Sequence, residues 1–228
     1  MRPWRIVVLR YRVRFCFPAQ TGIAMTEAPQ RQSDTPVERF ILDRWSPRAF
    51  TPAPITDAEL LAFLDAGRWA PSAYNAQPWR FIYARRGTAE WERFLSWLIP
   101  FNHSWAQNAS AIVYVASHTV TGSDRAEPVP APTHAFDAGA AAVLVMLQLS
   151  RAGWAAHPVS GFDHDLARAG LELPEDYALN AAIVIGRQGE VDSLPEYLRA
   201  REVPSTRRPL AEVAFEGRFL HTPDGNVT

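Results

Sequence analysis

The spacing of apolar positions divides the chain into short helices and short strands. Thr56 with Glu59 three residues on forms a capping box, and behind it Leu60, Leu61, Leu64 and Trp69 recur at helical spacing until Pro71 stops the helix. Thr35 followed by Pro36 offers an N-cap with proline at the first helical position, which predicts a short helix over residues 36–42. Residues 79–84 alternate as a strand, and 88–98 read as a helix carrying Trp91, Leu95 and Leu98. Residues 111–116 are a continuous run rich in β-branched side chains, suited to a buried strand. Residues 133–151 are apolar on nearly every side, with a small face of Ala138, Gly139, Ala141 and Ala142. That pattern predicts a helix that is deeply buried or sits in a subunit interface. A strand at 154–157, a helix at 164–169 and a buried strand at 181–185, ended by Gly186, complete the pattern.

Between these elements, residues 120–132 are rich in proline and small side chains and read as a loop long enough to serve as a lid or rim. The tail from Leu194 is punctuated by prolines and is expected to run over the surface or over a partner. Strands and helices mix without a βαβ rhythm, so the fold class is α+β, and no repeat or linker divides residues 36–215.

Composition narrows the chemistry. Of 228 residues, 47% are hydrophobic and 21% charged, an ordinary globular balance, and the net charge of -1 gives no field to draw in nucleic acid. All 23 basic residues are arginine, which excludes a lysine Schiff base and a Walker-type phosphate loop. A single cysteine, Cys16, excludes an intrachain disulfide framework and a cysteine zinc cluster, and suits a reducing cytoplasm. Six scattered histidines show no metal-ligand spacing. No window reaches the ~18 apolar residues of a membrane span. Residues 1–25 hold five arginines and no acid, with arginine interrupting every apolar run, so they do not read as a signal peptide. Met25 opens a polar stretch and looks like an alternative start. Residues 1–34 are therefore read as a disordered or mis-called extension, and 35–228 as the functional domain.

Four constellations could carry chemistry. Arg44-Trp45-Ser46-Pro47-Arg48 places two guanidinium groups and a hydroxyl on one side of an extended turn, a trio suited to a phosphate or a ribityl chain. A rigid loop follows the capped helix, with Pro71 and Pro78 at its ends and Ser72, Asn75 and Gln77 as polar contacts. His157-Pro158-Val159-Ser160-Gly161 links a strand to a helix, and there Gly161 allows close backbone approach, while His157 reads as structural or as a base. Thr206-Arg207-Arg208-Pro209 adds two more arginines.

Taken together, in this order and spacing, the chain resembles the nitroreductase family over residues 35–215. The resemblance rests on the RxSxR turn, the APSAYNAQPWRF stretch, the helix motif from Asp137 to Gly153, the PxxGF turn and the late RRPL segment. It implies a mainly antiparallel sheet flanked by helices, an intertwined homodimer and one FMN at each of two interfacial sites. By resemblance, Arg44, Trp45 and Ser46 would lie at the FMN phosphate and ribityl chain, and Arg48 at the pyrimidine edge of the flavin. Pro71, Ser72, Ala73, Asn75 and Gln77 would come from the other subunit and cover the cofactor. Asn102 would bond the flavin edge. Pro158, Val159, Ser160 and Gly161 would line the N5 side, and Arg207 or Arg208 would close on the phosphate. Phe101, His103 and Trp105, with Trp97, would form an aromatic wall of the acceptor pocket. Ser160 and Ser205 depart from relatives that carry an acid and a lysine there.

The resemblance further implies that NAD(P)H reduces the flavin, which reduces a nitroaromatic, quinone or related small electrophile by a ping-pong mechanism, with no separate catalytic acid or base. Two alternatives stand beside it. One keeps FMN but changes the reaction to dehalogenation or to aldehyde or enone reduction. The other is a non-catalytic flavin-binding or interaction protein.

Overall fold

A computed structural model describes residues 30–121 and 128–219. Of the expected disordered extension over residues 1–34, residues 1–29 lie outside them, as does the middle of the 120–132 loop, whereas residues 30–34 are described and Arg31 is tied to Arg44 and Ser205. Five strands form one antiparallel sheet: β1 (Phe50–Thr51), β2 (Trp79–Arg85), β3 (Ala111–His118), β6 (Ala155–Val159) and β7 (Tyr177–Gln188). β7 is central, with β3 along one edge and β6 and then β1 end to end along the other, while β2 pairs the far side of β3. β4 (Val120–Thr121) and β5 (Val129–Pro130) form a separate hairpin within the segment expected to be loop.

The period-2 alternation of β3 and β7 divides the core into two layers. Ile112, Tyr114, Ala182 and Val184 face one layer with Phe94, Trp97 and Trp105. Val113, Val115, Ile183 and Ile185 face the other with Leu60, Phe63, Val145 and Leu149. The first layer is covered by α3 (Trp91–Ser96), α4 (Pro100–Ala106), α6 (His164–Gly170) and α7 (Glu196–Arg199). The second is covered by α2 (Asp57–Gly67) and α5 (His134–Arg151). α2 opens on the expected capping box, with Glu59 N–H donating to Thr56 Oγ1 and Thr56 N–H to Glu59 Oε2. α2 and α5 pack closely at Gly67, where a Cβ would lie 2.8 Å from Val145 Cγ2.

Several boundaries differ from expectation for local reasons. The first helix, α1, runs Arg39–Asp43 rather than 36–42, because Val37 N–H bonds back to Thr35 O (2.8 Å) in a tight turn and Glu38 is the N-cap. α3 starts at Trp91, since Gly87 at φ 82 and the Thr88 Oγ1 bond to Arg85 O (2.7 Å) turn the chain first. α4 was not anticipated, although Pro100 opens it in the position where proline fits a helix start. Gly186 does not end its strand. It lies inside β7, packed beneath Phe50, whose ring would be 2.7 Å from an added Cβ.

Candidate functional site

The 44–48 turn lies between α1 and β1, and distant parts of the chain hold it in place. Glu202, only 6% exposed, accepts the N–H of Arg48 (2.7 Å) and of Ala49 (2.8 Å) through Oε1. His157 on β6 donates from Nδ1 to Pro47 O at 3.0 Å and lies against Trp105, with ring centroids 4.8 Å apart. Burial pushes the His157 pKa down to about 4, so the ring is neutral at neutral pH. His157 is therefore an anchor for the turn, in keeping with its structural reading.

Within the turn, Arg44 Nη1 donates to Ser46 Oγ at 3.2 Å. Beside it, Arg207 Nη1 donates to Ser205 Oγ at 2.9 Å, whereas Arg208 faces away toward Glu212 at 3.6 Å. A third guanidinium, that of Arg31, joins the two segments by donating to Arg44 O and to Ser205. Burial, and then the neighbouring positive charge of Arg207, lowers the pKa of Arg44. Among the described residues, none of Arg31, Arg44 and Arg207 meets a carboxylate within 4 Å. Arg48 Nε is buried with no hydrogen-bond partner. Three clustered cations without an acid, next to a fourth guanidinium with a buried unpaired donor, form a cradle for an anion with further acceptor atoms.

The 158–161 turn adjoins this cluster. Asn102 Nδ2 donates to Gly161 O at 2.9 Å, and Ile99 N–H donates to the same oxygen at 3.2 Å. A Cβ on Gly161 would lie 2.6 Å from Asn102 Nδ2, so the close approach this glycine permits is to α4. Pro158 and Ser160 are exposed. Val159 belongs to the core beside Ala182, so only its backbone can face a ligand. The expected aromatic wall also changes. Trp105 is 1% exposed and packs with Phe50 and His157, and Trp97 lies in the same core, which leaves Phe101 exposed and His103 half-buried.

The 71–77 loop stands apart. Ser72 Oγ accepts Gln77 N–H at 3.0 Å, and buried Asp137 at the start of α5 accepts Ala73 N–H (3.2 Å) and Thr133 Oγ1–H (3.1 Å). Tyr74, Asn75 and Gln77 adopt φ of 52°, 54° and 48°, the left-handed region that L-residues avoid. The Tyr74 side chain is fully exposed. Among the described residues, no hydrogen bond, ion pair or ring contact joins this loop to the 44–48 turn. Next to it runs an open groove of about 530 Å³ lined by Pro71, Phe136, Gly139, Ala140, Val143 and Leu144.

Sequence reasoning missed Arg31, Glu202 and Asp137 as parts of the site. Asp137 lay within the helix motif and could have been read as a possible loop anchor. Arg31 and Glu202 carry no local signal. Among the described residues, no group of His, Cys, Asp or Glu could hold a metal ion, and no helix is long and apolar enough to cross a membrane.

The sequence model of the nitroreductase family matches residues 41–102 and 99–187. A solved oxidoreductase containing FMN is 44% identical, superposes with a TM-score of 0.83, and is matched over 87% of this chain and all of its own. A nitroreductase-type protein of Desulfovibrio desulfuricans, solved in complex with FMN, is 26% identical with a TM-score of 0.60, over 82% of this chain and all of its own. A protein of Rhodopseudomonas palustris, provisionally named NADH dehydrogenase/NAD(P)H nitroreductase, is 27% identical over 58% of this chain and 74% of its own.

Proposed function

The chain belongs to the nitroreductase family, and from that premise we propose that it is an FMN-dependent oxidoreductase carrying reducing equivalents from NAD(P)H to a small electrophilic acceptor such as a nitroaromatic or quinone. The observation that carries this reading is the acid-free cluster of Arg31, Arg44 and Arg207 around Ser46 and Ser205. A phosphomonoester dianion offsets most of the charge of such a cluster, and guanidinium groups bind its oxygens through charge-assisted hydrogen bonds. When bound, FMN supplies the hydride chemistry itself, in two successive half-reactions at one place.

The protein's own residues then bind and orient. Arg44, Ser46 and Arg207 hold the phosphate, and Arg207 rather than Arg208 takes this part because Arg208 is turned to Glu212. Arg48 Nε offers a donor to the polar edge of the ring, where its positive charge favours the reduced form. Asn102 and Gly161 brace the turn at 158–161, whose backbone would border the N5 side of a bound flavin. Phe101 and His103 border the acceptor space, and the protein need supply no proton-transfer dyad.

The 71–77 loop completes the site in a homodimer, contributing Pro71, Ser72, Ala73, Asn75 and Gln77 across the subunit boundary. Two features support this: among the described residues no hydrogen bond, ion pair or ring contact joins the loop to the turn of its own chain, and it lies beside an exposed apolar face that includes Trp69, Tyr74, Phe136 and Val143. Apolar faces of this kind mark association surfaces. The lone cysteine fits a cytoplasmic setting.

The test is the visible spectrum of the purified protein, before and after anaerobic NADPH, followed by a small acceptor panel. Flavin absorption that bleaches with NADPH and returns with an acceptor is expected. A protein that takes up no FMN on soaking contradicts the reading, and one that holds FMN without turnover favours the non-catalytic alternative.

A further inference from the structure

Arg31 lies ahead of the residues that carry family motifs, in a polar stretch with no motif of its own, yet both walls of the cationic site converge on it. Its Nη1 donates to Arg44 O at 2.6 Å, its Nε to Ser205 O at 3.0 Å and its Nη2 to Ser205 Oγ at 3.2 Å. Ser205 Oγ also accepts from Arg207 Nη1 at 2.9 Å, so two guanidinium groups meet at one oxygen. Arg39 Nη1 donates to Arg31 O at 3.1 Å and fixes the backbone at this point. All of these acceptors are neutral. Burial, then the charges of Arg207 and Arg44, lower the Arg31 pKa, so this arginine sits where its charge is unfavourable in the absence of an anion.

We propose that Arg31 is a positioning residue of a phosphomonoester site: it sets the spacing between the 44–46 turn and the 205–207 segment and adds a third cation to the bound phosphate. The proposal rests on the flavin reading above. Three of the five guanidinium donors are spent on Arg44 O and Ser205, and two remain for a phosphate oxygen. The planar fork can bridge two backbone carbonyls at once, whereas a lysine ammonium is a point charge without that fixed geometry. Residues just before the family-like domain are thereby part of cofactor binding.

The experiment titrates the flavin-free full chain with FMN and with riboflavin, which lacks the phosphate, for the wild type, Arg31→Ala and Arg31→Lys. Arg31→Ala is expected to weaken FMN about tenfold or more and to leave riboflavin affinity unchanged, as for loss of a charged contact to phosphate. Arg31→Lys should recover only part of the FMN affinity. Inorganic phosphate gives a second readout: it should raise the melting temperature of the wild type and do so less in Arg31→Ala. Equal losses for FMN and riboflavin, or unchanged FMN binding, would overturn the proposal. A wild type that binds neither flavin contradicts the cofactor reading itself, whereas a wild type that binds FMN while Arg31→Ala binds it equally well defeats only the role of Arg31.

Discussion

The turn at 44–48 and the loop at 71–77 are both short, polar and marked by proline, but the fold holds them in opposite ways. The turn is clamped by residues more than a hundred positions away, Glu202 and His157, and by Arg31. What is left unbalanced there is charge. The loop is braced at Asp137 and by its own Ser72, and what is left unbalanced there is conformation, with three non-glycine residues at positive φ and a fully exposed Tyr74. Unbalanced charge calls for an anion, and strain with exposed rings calls for a surface to pack against. Among the described residues, no hydrogen bond, ion pair or ring contact joins the two within one chain.

The comparison can be broken most forcefully at the turn. Glu202→Ala leaves the buried N–H of Ala49 and the half-buried N–H of Arg48 without an acceptor and should cost about 3 kcal/mol of folding stability. Urea unfolding checks this, and a loss below about 1 kcal/mol would mean that the tail does not hold the turn.

Acid probes the second clamp. His157 takes a proton only near pH 4 when folded and near 6.5 when unfolded, so between those values the unfolded state holds more protons. Its contribution is full above pH 6.5 and lost as pH falls toward 4, by up to about 3 kcal/mol. In His157→Gln, stability measured across that window should fall less steeply with acid than in the wild type.

Arg44→Ala separates binding from folding. FMN affinity should drop roughly 10- to 150-fold, the worth of a charged hydrogen bond of about 1.5–3 kcal/mol. Stability without cofactor should hold or rise, because a crowded positive charge is gone. A binding loss well under tenfold by flavin titration removes Arg44 from the phosphate site.

The smallest effect belongs to the loop. Tyr74→Gly relieves left-handed strain and should stabilise the separated chain by about 1 kcal/mol. It should also weaken subunit association, which sedimentation would detect. Stabilisation with association unchanged would leave the loop strained for some purpose other than the interface.

The parts of this molecule legible in the sequence were those written in local pattern. The capping box of α2, the alternation over 79–84 and the continuous apolar runs at 111–116 and 181–185 depend on residues a few positions apart, and they lie in α2, β2, β3 and β7. The turn, the loop and the two later motifs were visible as polar residues between prolines. Burial was not legible from residue type. Trp105 and Val159 stood within motif stretches but serve the core, because α4 and β6 turn those side chains inward. The clamps were invisible for a different reason: Glu202 and Arg31 act over separations of 153 and 174 residues, to Ala49 and Ser205, and no local spacing encodes such a meeting. Gly186 read as a stop because glycine often ends strands, whereas here Phe50 requires its missing side chain.

The central claim is that one site is assembled from the turn of one chain and the loop of another. Its most direct test mixes two defective chains, Arg44→Ala and the double variant Ser72→Ala/Asn75→Ala, and measures flavin bound per dimer after co-refolding. A shared site predicts that each variant alone binds FMN poorly and that the mixed dimer regains one strong site, formed by the intact turn of one chain and the intact loop of the other. If mixing restores no binding while mixed dimers form, each chain builds its own site and the account is contradicted.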